Sequence, residues 1–400
     1  MTSANYEALL EQYTPLFDDI LRGERAREAG RHLPLIPLRQ LSDHGLGALT
    51  VPAEAGGEGA GYETTFRLLM DLAAVDANLA HMWRSHLSFC EYLKLIPDSK
   101  SRAQWWKRVL DGELGGSALS SQHNNADQQT LISRDDDKTL RIHGEKYYTT
   151  GTLASEWTIV NAAVEEDLAQ TILRRRRRGG ESGLSLDDVR SCLAIIRVRQ
   201  PRVQVKDDWD GFGQRMTATG TLSMRGAGVE MLVETTSELS PVPIFHEATL
   251  DALMVGIGRA ALRDGVEHLR ERTRIFNTSS GDIPRSDSQM LGIIGQLSAQ
   301  LAAAEELVRA IGREFDAGNL RQATLTAQRA SVMVPKIVLD ICNRIFDNLG
   351  ASSTSTSWEL DRHWRNARTL ASHDPAVFKE RMLGDWEVNA VPPRPYVSAG

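Results

Sequence analysis

A change of hydrophobic period restricts this chain more than any other feature. Apolar residues recur at helical spacing near both ends, and short runs of β-branched residues replace them in the middle. Tyr6, Leu9, Leu10, Tyr13, Phe17, Ile20 and Leu21 make one stripe, which at 3.6 residues per turn lies on a single helix face. A second helix is expected from Leu35 to His44, stopped at Gly45, because glycine accepts the left-handed backbone of a helix C-cap. The stretch Ala55-Gly-Gly-Glu-Gly-Ala-Gly61 is too rich in glycine to continue a helix, and the helical period resumes over Tyr62–Val75 and Leu79–Leu95.

Leu140-Arg-Ile-His, Trp157-Thr-Ile-Val-Asn, Ala194-Ile-Ile-Arg-Val and Thr221-Leu-Ser-Met are short and separated by turn formers, the pattern of a small β-domain. Helical stripes then return over Leu250–Phe276, Ser288–Phe315, Gln322–Leu349 and Trp358–Leu370. Four long helices with short joints describe a bundle. The expected architecture is mostly α with a central β-domain. It has an N-terminal helical domain (1–114), a middle β-barrel or pair of sheets (115–240) and a C-terminal four-helix bundle (241–400). A charged insert at 165–188 interrupts the middle domain. It contains Arg174-Arg-Arg-Arg-Arg178 flanked by acidic residues and reads as a solvated loop, with an anion-binding patch as the alternative.

Composition excludes several classes. A chain of 400 residues with 41% hydrophobic and 25% charged residues is globular. Its net charge of −7 offers no basic footprint for nucleic acid or an anionic membrane. No run approaches the ~18 apolar residues of a membrane span, and Met1–Glu11 lacks the pattern of a secretory signal. Cys90, Cys192 and Cys342 are far apart, which fits buried thiols in a reducing cytoplasm and neither a disulfide frame nor a zinc site. The histidines form no metal motif. Gly256-Ile-Gly258-Arg-Ala-Ala261 imitates a dinucleotide fingerprint but lies inside a helical stripe, where small residues serve helix packing.

Two dense patches remain. Asp207-Asp-Trp209-Asp-Gly-Phe-Gly-Gln-Arg-Met-Thr-Ala-Thr-Gly-Thr221 brings an indole, carboxylates and glycines into one inter-strand loop. Such a loop can present flat aromatic surface and backbone N–H groups to a ligand. Glu359-Leu-Asp-Arg-His-Trp-Arg-Asn-Ala-Arg368 is a basic helix face that halts at His373-Asp374-Pro375. Residue chemistry alone leaves a structural and a functional reading of it open.

Together these pieces resemble the acyl-CoA dehydrogenase superfamily over nearly the whole chain. The resemblance rests on Leu41-Ser-Asp-His-Gly-Leu-Gly-Ala-Leu-Thr-Val-Pro52, on Gly144-Glu-Lys-Tyr-Tyr-Thr-Thr-Gly151 and on Leu360–Arg368, in that order. Two departures point away from the dehydrogenases. Arg344-Ile-Phe-Asp-Asn-Leu-Gly350 lacks the glycine pair that seats the adenine half of FAD. His373-Asp374-Pro375 stands where the family carries a glutamate base. Both departures, with the Trp209 loop, resemble the flavin-dependent monooxygenase branch.

That resemblance implies a cytoplasmic homotetramer using reduced FMN from a separate NAD(P)H:flavin reductase. A flavin C4a-hydroperoxide then passes one oxygen from dioxygen to sulfur or nitrogen of a small substrate. It makes His373 the candidate proton donor, His86 a second candidate and Asp374 the residue that orients His373. Trp209 would cover the flavin face, with Ser120, Asn124, Asn125 and Ser155 at the ring. Arg274, with Phe276 behind it, would take the phosphate across a subunit contact, Arg368 being the alternative. The rival is an FAD-dependent acyl-CoA dehydrogenase with Asp374 as base.

Overall fold

The computed structural model describes residues 5–97, 99–121, 130–135, 138–233 and 241–393. Helix α1 spans Tyr6–Gly30 and buries Tyr13, Phe17 and Ile20, the centre of the expected stripe. Helix α2, Leu35–Asp43, is followed by Gly45 at φ 91°, the left-handed stop its glycine predicts. Helices α3 (Tyr62–Val75) and α4 (Ala77–Lys94) meet at Asp76. One Asp76 oxygen caps α4 by accepting from the Asn78 and Leu79 N–H groups, and the other accepts from Arg27 at 2.9 Å. A single buried carboxylate therefore fixes the start of α4 and ties it to α1. Helix α5, Lys100–Leu110, closes this region.

The middle of the chain forms an eight-stranded sheet. Its strands are β1 (Gly115–Ala118), β2 (Leu131–Arg134), β3 (Leu140–Lys146), β4 (Trp157–Val164), β5 (Ser191–Arg197), β6 (Val203–Val205), β7 (Leu222–Gly228) and β8 (Met231–Val233). Their order is β6-β7-β3-β2-β4-β5-β8, with β1 parallel to the first half of β4. Among the described residues the end strands β6 and β8 do not pair. Among the described residues the hydrogen-bonded strand order is therefore a path with two ends, which does not establish the expected barrel.

The charged insert departs from expectation. Helix α6 runs from Glu166 to Arg178, and Leu168, Ala169 and Ile172 are buried in the same cluster as Ile132, Val160 and Ala194 of the sheet. Arg176 is buried and bonds Glu181 through Nε at 3.1 Å, while the Arg177 Nε–H donates to the Leu184 carbonyl at 3.1 Å. The arginine run is therefore the last turn of a docked helix. The apolar positions that dock it precede the run, so its charge conceals them.

Helices α7 (Pro241–Glu271), α8 (Ser288–Asp316) and α9 (Leu320–Leu349) are long, and α10 (Asp361–Ala371) and α11 (Ala376–Asn389) are short. The expected four long helices are three, with two short ones after them. Glycines set the close approaches to α3. A Cβ on Gly256 would lie 2.5 Å from the Met70 carbonyl oxygen, and one on Gly312 would lie 2.4 Å from the Glu63 Cα. Gly256 is hence a packing residue, as its place inside a helical stripe implies. Tyr62, Phe66, Phe245 and Phe315 fill the junction of α3, α7 and α8, the Tyr62 and Phe315 rings being 4.6 Å apart. Helix α10 is anchored by Arg362, which bonds Glu24 at 3.0 Å and Asp264 at 2.7 Å, and by His363 at 2.9 Å from Asp264. Burial alone would raise the Asp264 pKa, but His363 and Arg362 hold it well below the usual range. This anchor fixes where the chain leaves α10 and hence where His373 stands.

Candidate active site

Helix α4 is buried on every side from Ala77 to Leu93, although it carries His81, Arg84, Ser85, His86 and Ser88. Polar groups on such a helix must find partners inside the protein. The Arg84 guanidinium donates through Nη1 toward His81 Nε2 at 3.5 Å. Through Nη2 it reaches His246 Nδ1 at 3.4 Å and the His246 carbonyl at 3.2 Å. Since arginine only donates, each of these ring nitrogens accepts, and the proton of each ring lies on its other nitrogen. His81 then donates through Nδ1 to the Gln214 Oε1, 3.1 Å away. Burial lowers the pKa of both histidines well below the ordinary value, Arg84 adding to the effect, so both are neutral.

His373 and Asp374 join this cluster from the end of α10. His373 Nδ1 lies 3.4 Å from Asp374 Oδ1, and Asp374 Oδ2 lies 3.5 Å from Lys379 Nζ. The His373 side chain is 48% exposed and that of Asp374 only 7%, so the imidazole faces outward over a buried carboxylate. Burial would raise the Asp374 pKa, yet the contact with His373 and the Lys379 charge lower it to about 2. His373 perturbs both His81 and His246 electrostatically, and Asp374 acts on Arg84. Lys379 is the one buried residue of α11, and its Nζ also lies 3.8 Å from Glu247. The Glu247 carboxylate accepts from Gln328 of α9 at 2.6 Å.

The Asp207–Thr221 loop connects this cluster to the sheet. Gln214, at φ 52°, donates its N–H to Asn366 Oδ1 at 2.7 Å, and Met216 N–H donates to Asn78 Oδ1 at 3.0 Å. A Cβ on Gly213 would lie 2.1 Å from the Arg365 carbonyl oxygen, so only glycine lets the loop lie on α10. Farther along the loop, the Trp209 indole donates to the Gly213 carbonyl at 3.1 Å. Its ring sits 5.8 Å from Tyr147 and 6.1 Å from Tyr148. Ser120 pairs with Tyr148 through a backbone bridge. Trp209, Ser120 and the Tyr147–Tyr148 pair thus share one end of the sheet.

The other sequence candidates are placed differently. His86 is fully enclosed. Its Nδ1 accepts from the Gly115 N–H at 3.0 Å, so its Nε2–H donates to the Gly47 carbonyl at 2.9 Å. With both nitrogens engaged by backbone it joins α4 to the sheet and to the loop after α2, and it has no ring nitrogen left for a ligand. Ser155 spends its hydroxyl on the Gly151 carbonyl at 2.8 Å. Arg368 bonds Ser372 of its own helix. Helix α7 ends at Glu271, so Arg274 and Phe276 lie in the loop beyond it, beside Arg272, whose guanidinium stacks 4.4 Å over the Phe276 ring. Arg272 also bonds the Leu349 carbonyl at the end of α9. This places Arg274 and Phe276 apart from the His373 cluster of the same chain. Asn124 and Asn125 lie outside the described residues.

Sequence reading missed His81, Arg84, Gln214, His246 and Lys379. The signal for the first two was present as His81 and Arg84 at i, i+3 on a polar-looking helix, but nothing in the period marks a helix buried on all faces. Among the described residues no cluster of His, Cys, Asp and Glu is arranged to hold a metal, and no helix is long and apolar enough to cross a membrane.

The acyl-CoA dehydrogenase N-terminal domain matches residues 7–113 and the acyl-CoA dehydrogenase C-terminal domain matches residues 248–377. The chain belongs to the acyl-CoA dehydrogenase superfamily. Its sequence is 27% identical to the "Probable FMNH2-dependent monooxygenase SfnC" of Pseudomonas putida, over 89% of this chain and 88% of that protein. In structure it is similar to the FMN-bound dibenzothiophene monooxygenase TdsC of Paenibacillus sp. A11-2. That similarity has a TM-score of 0.86 at 24% identity and covers 98% of this chain and 99% of the other. The methanesulfinate monooxygenase MsuC of Pseudomonas fluorescens is similar with a TM-score of 0.81 at 24% identity, over 98% and 99% of the two chains.

Proposed function

We propose that this chain is the oxygenase component of a two-component flavin-dependent monooxygenase. It takes reduced FMN from a separate NAD(P)H:flavin reductase and transfers one oxygen atom of dioxygen to sulfur or nitrogen of a small organic substrate. Two features of the chain fit FMN. Trp209 and the half-exposed Tyr148 offer flat apolar faces beside Ser120. Arg274, reaching across a subunit contact, is the cation for the phosphate, with Arg368 as the alternative. Two of the similar proteins support the same cofactor, SfnC being described as FMNH2-dependent and TdsC holding bound FMN. Bound reduced FMN supplies the activation of dioxygen, the C4a-hydroperoxide chemistry expected above, and the remaining tasks fall to the chain. His373 holds a proton at an imidazole nitrogen for the departing oxygen. Asp374 orients that ring, and the walls of α4 and α7 exclude water.

The observation that carries the reading is the His373–Asp374–Lys379 arrangement. A dehydrogenase base must take a proton, and its pKa should lie near the working pH. Asp374 sits between His373 and Lys379 with its pKa pulled to about 2, which makes it a poor base and a good anchor for an imidazole. The rival FAD-dependent dehydrogenase reading needs the opposite. The reading also carries a cytoplasmic homotetramer with domain limits at 1–114, 115–240 and 241–400. Exposed apolar side chains on the C-terminal helices, Leu291 (52%), Met333 (45%), Val377 (65%) and Phe378 (50%), support self-association. The test is to supply the protein with reduced FMN and labelled dioxygen beside a panel of organic sulfides, sulfinates and amines. One labelled oxygen in a product supports the reading. Oxidation of acyl-CoA thioesters without any labelled product rejects it.

A further inference from the structure

The cluster around Arg84 contains buried donors that nothing among the described residues satisfies. Arg84 is 3% exposed, and among the described residues it has no carboxylate within ion-pair distance. Its hydrogen-bond partners there are two neutral imidazoles and one carbonyl. The carboxylate that acts on it at longer range, Asp374, is already engaged by His373 and Lys379. Arg84 Nε, His246 Nε2 and Gln214 Nε2 are all buried without a partner. The hydrogen-bond order fixes what each of them presents. Arg84 occupies His246 Nδ1, so His246 Nε2 carries a hydrogen. His81 occupies Gln214 Oε1, so the unpartnered Gln214 atom is the NH2 group. All three orphans are therefore donors, and the central one bears a fixed positive charge.

An unpaired buried guanidinium is costly, as is each unsatisfied buried donor. Burial lowers the Arg84 pKa only to about 10, partly offset by Asp374, so the group stays charged at neutral pH. A neutral aromatic ligand would leave the charge and the donors unsatisfied. A ligand with a compact anionic head and several acceptor oxygens satisfies them.

We propose that Arg84, with His246 and Gln214, forms the receptor for an anionic head, so that the substrate of this site is a small organic anion of the sulfinate or carboxylate type. The inference rests on the monooxygenase reading for the fate of that anion. The receptor itself needs no turnover to be detected.

The experiment is calorimetric titration of the flavin-free protein, at constant chloride, with methanesulfinate, acetate and neutral dimethyl sulfone. The sulfone keeps the two oxygens and lacks the charge. Wild type should bind at least one of the anions tenfold or more tightly than dimethyl sulfone, and the stronger of the two identifies the head. Arg84→Met should lose at least tenfold in anion affinity, Arg84→Lys should restore part of it, and both should keep the FMN affinity of wild type. Equal binding of sulfone and anions by wild type overturns the proposal, and that comparison stands even if Arg84→Met does not fold. Loss of FMN affinity in Arg84→Met, with anion binding retained, also overturns it by assigning the charge to the flavin. Anion binding without oxygenated product supports the receptor and rejects the monooxygenase reading alone. A labelled product from a neutral substrate, without anion binding, rejects the receptor alone.

Discussion

Lys379 Nζ lies 3.5 Å from Asp374 Oδ2, both side chains being less than a tenth exposed. Helix α11 contributes no other buried residue, so this contact is what the helix brings to the site. The contact keeps a carboxylate ionised beneath the exposed His373 ring. Replacing Lys379 by Met removes the buried cation that contacts both Asp374 and Glu247. The expected cost is about 3 kcal/mol of stability, read by urea unfolding. The double variant Lys379→Met/Asp374→Asn should recover part of it. Strict additivity of the two single changes would show that the pair does not interact.

His373→Ala should fold normally, because the side chain is 48% exposed and among the described residues bonds only Asp374. Oxygen transfer should fall roughly 10²-fold, and reduced flavin should be consumed as hydrogen peroxide. Product and peroxide yields per flavin oxidised measure both. An unchanged product yield would remove His373 from the chemistry.

The insert gives a stability prediction that its composition hides. Ile172 is 3% exposed against the sheet, so Ile172→Ala should cost about 2–5 kcal/mol. Arg178→Ala, on the exposed end of the same helix, should stay within about 0.5 kcal/mol. Thermal or urea unfolding of the two variants separates a docked helix from a loose loop, in which neither change would matter.

His86 sets a pH dependence. Burial lowers its pKa from 6.5 to about 4, the Gly47 bond only partly opposing this. Between those values the unfolded chain binds the proton and the folded chain does not. The contribution of His86 is therefore complete above pH 6.5 and lost as pH falls toward 4. Wild type should lose stability from pH 7 to pH 5 more steeply than His86→Gln. His363, lowered to about 4 by burial and Arg362, adds a second term of the same sign. Equal slopes for wild type and His86→Gln would contradict the buried clamp.

Much of the fold was legible because it follows local rules. The Tyr13–Phe17–Ile20 stripe, the Gly45 stop at φ 91° and the strands at Leu140, Trp157 and Leu222 are periodic or turn-driven. Helix α6 was not, since its arginines outweigh three apolar positions in composition. Arg274 and Phe276 were read as helical because the apolar period continues past Glu271. The chain turns there while Arg272 reaches across to the Leu349 carbonyl, a long-range contact that no local pattern records. At the site, His373 and Asp374 stood out by their place before Pro375. His81, Arg84 and His246 did not, because their meaning depends on α4 and α7 facing each other. His86 drew attention by its residue type, while its geometry spends both nitrogens on backbone.

The central claim is that this chain handles reduced FMN and oxygen for transfer. Rapid mixing of the protein and reduced FMN with oxygenated buffer, followed by absorbance, tests it without knowledge of the substrate. An oxygen-bearing flavin species, spectrally distinct from oxidised FMN, should form first and decay more slowly than free reduced FMN is oxidised. Reoxidation at the rate of free FMN, together with reduction of bound FAD by an acyl-CoA thioester, would contradict it.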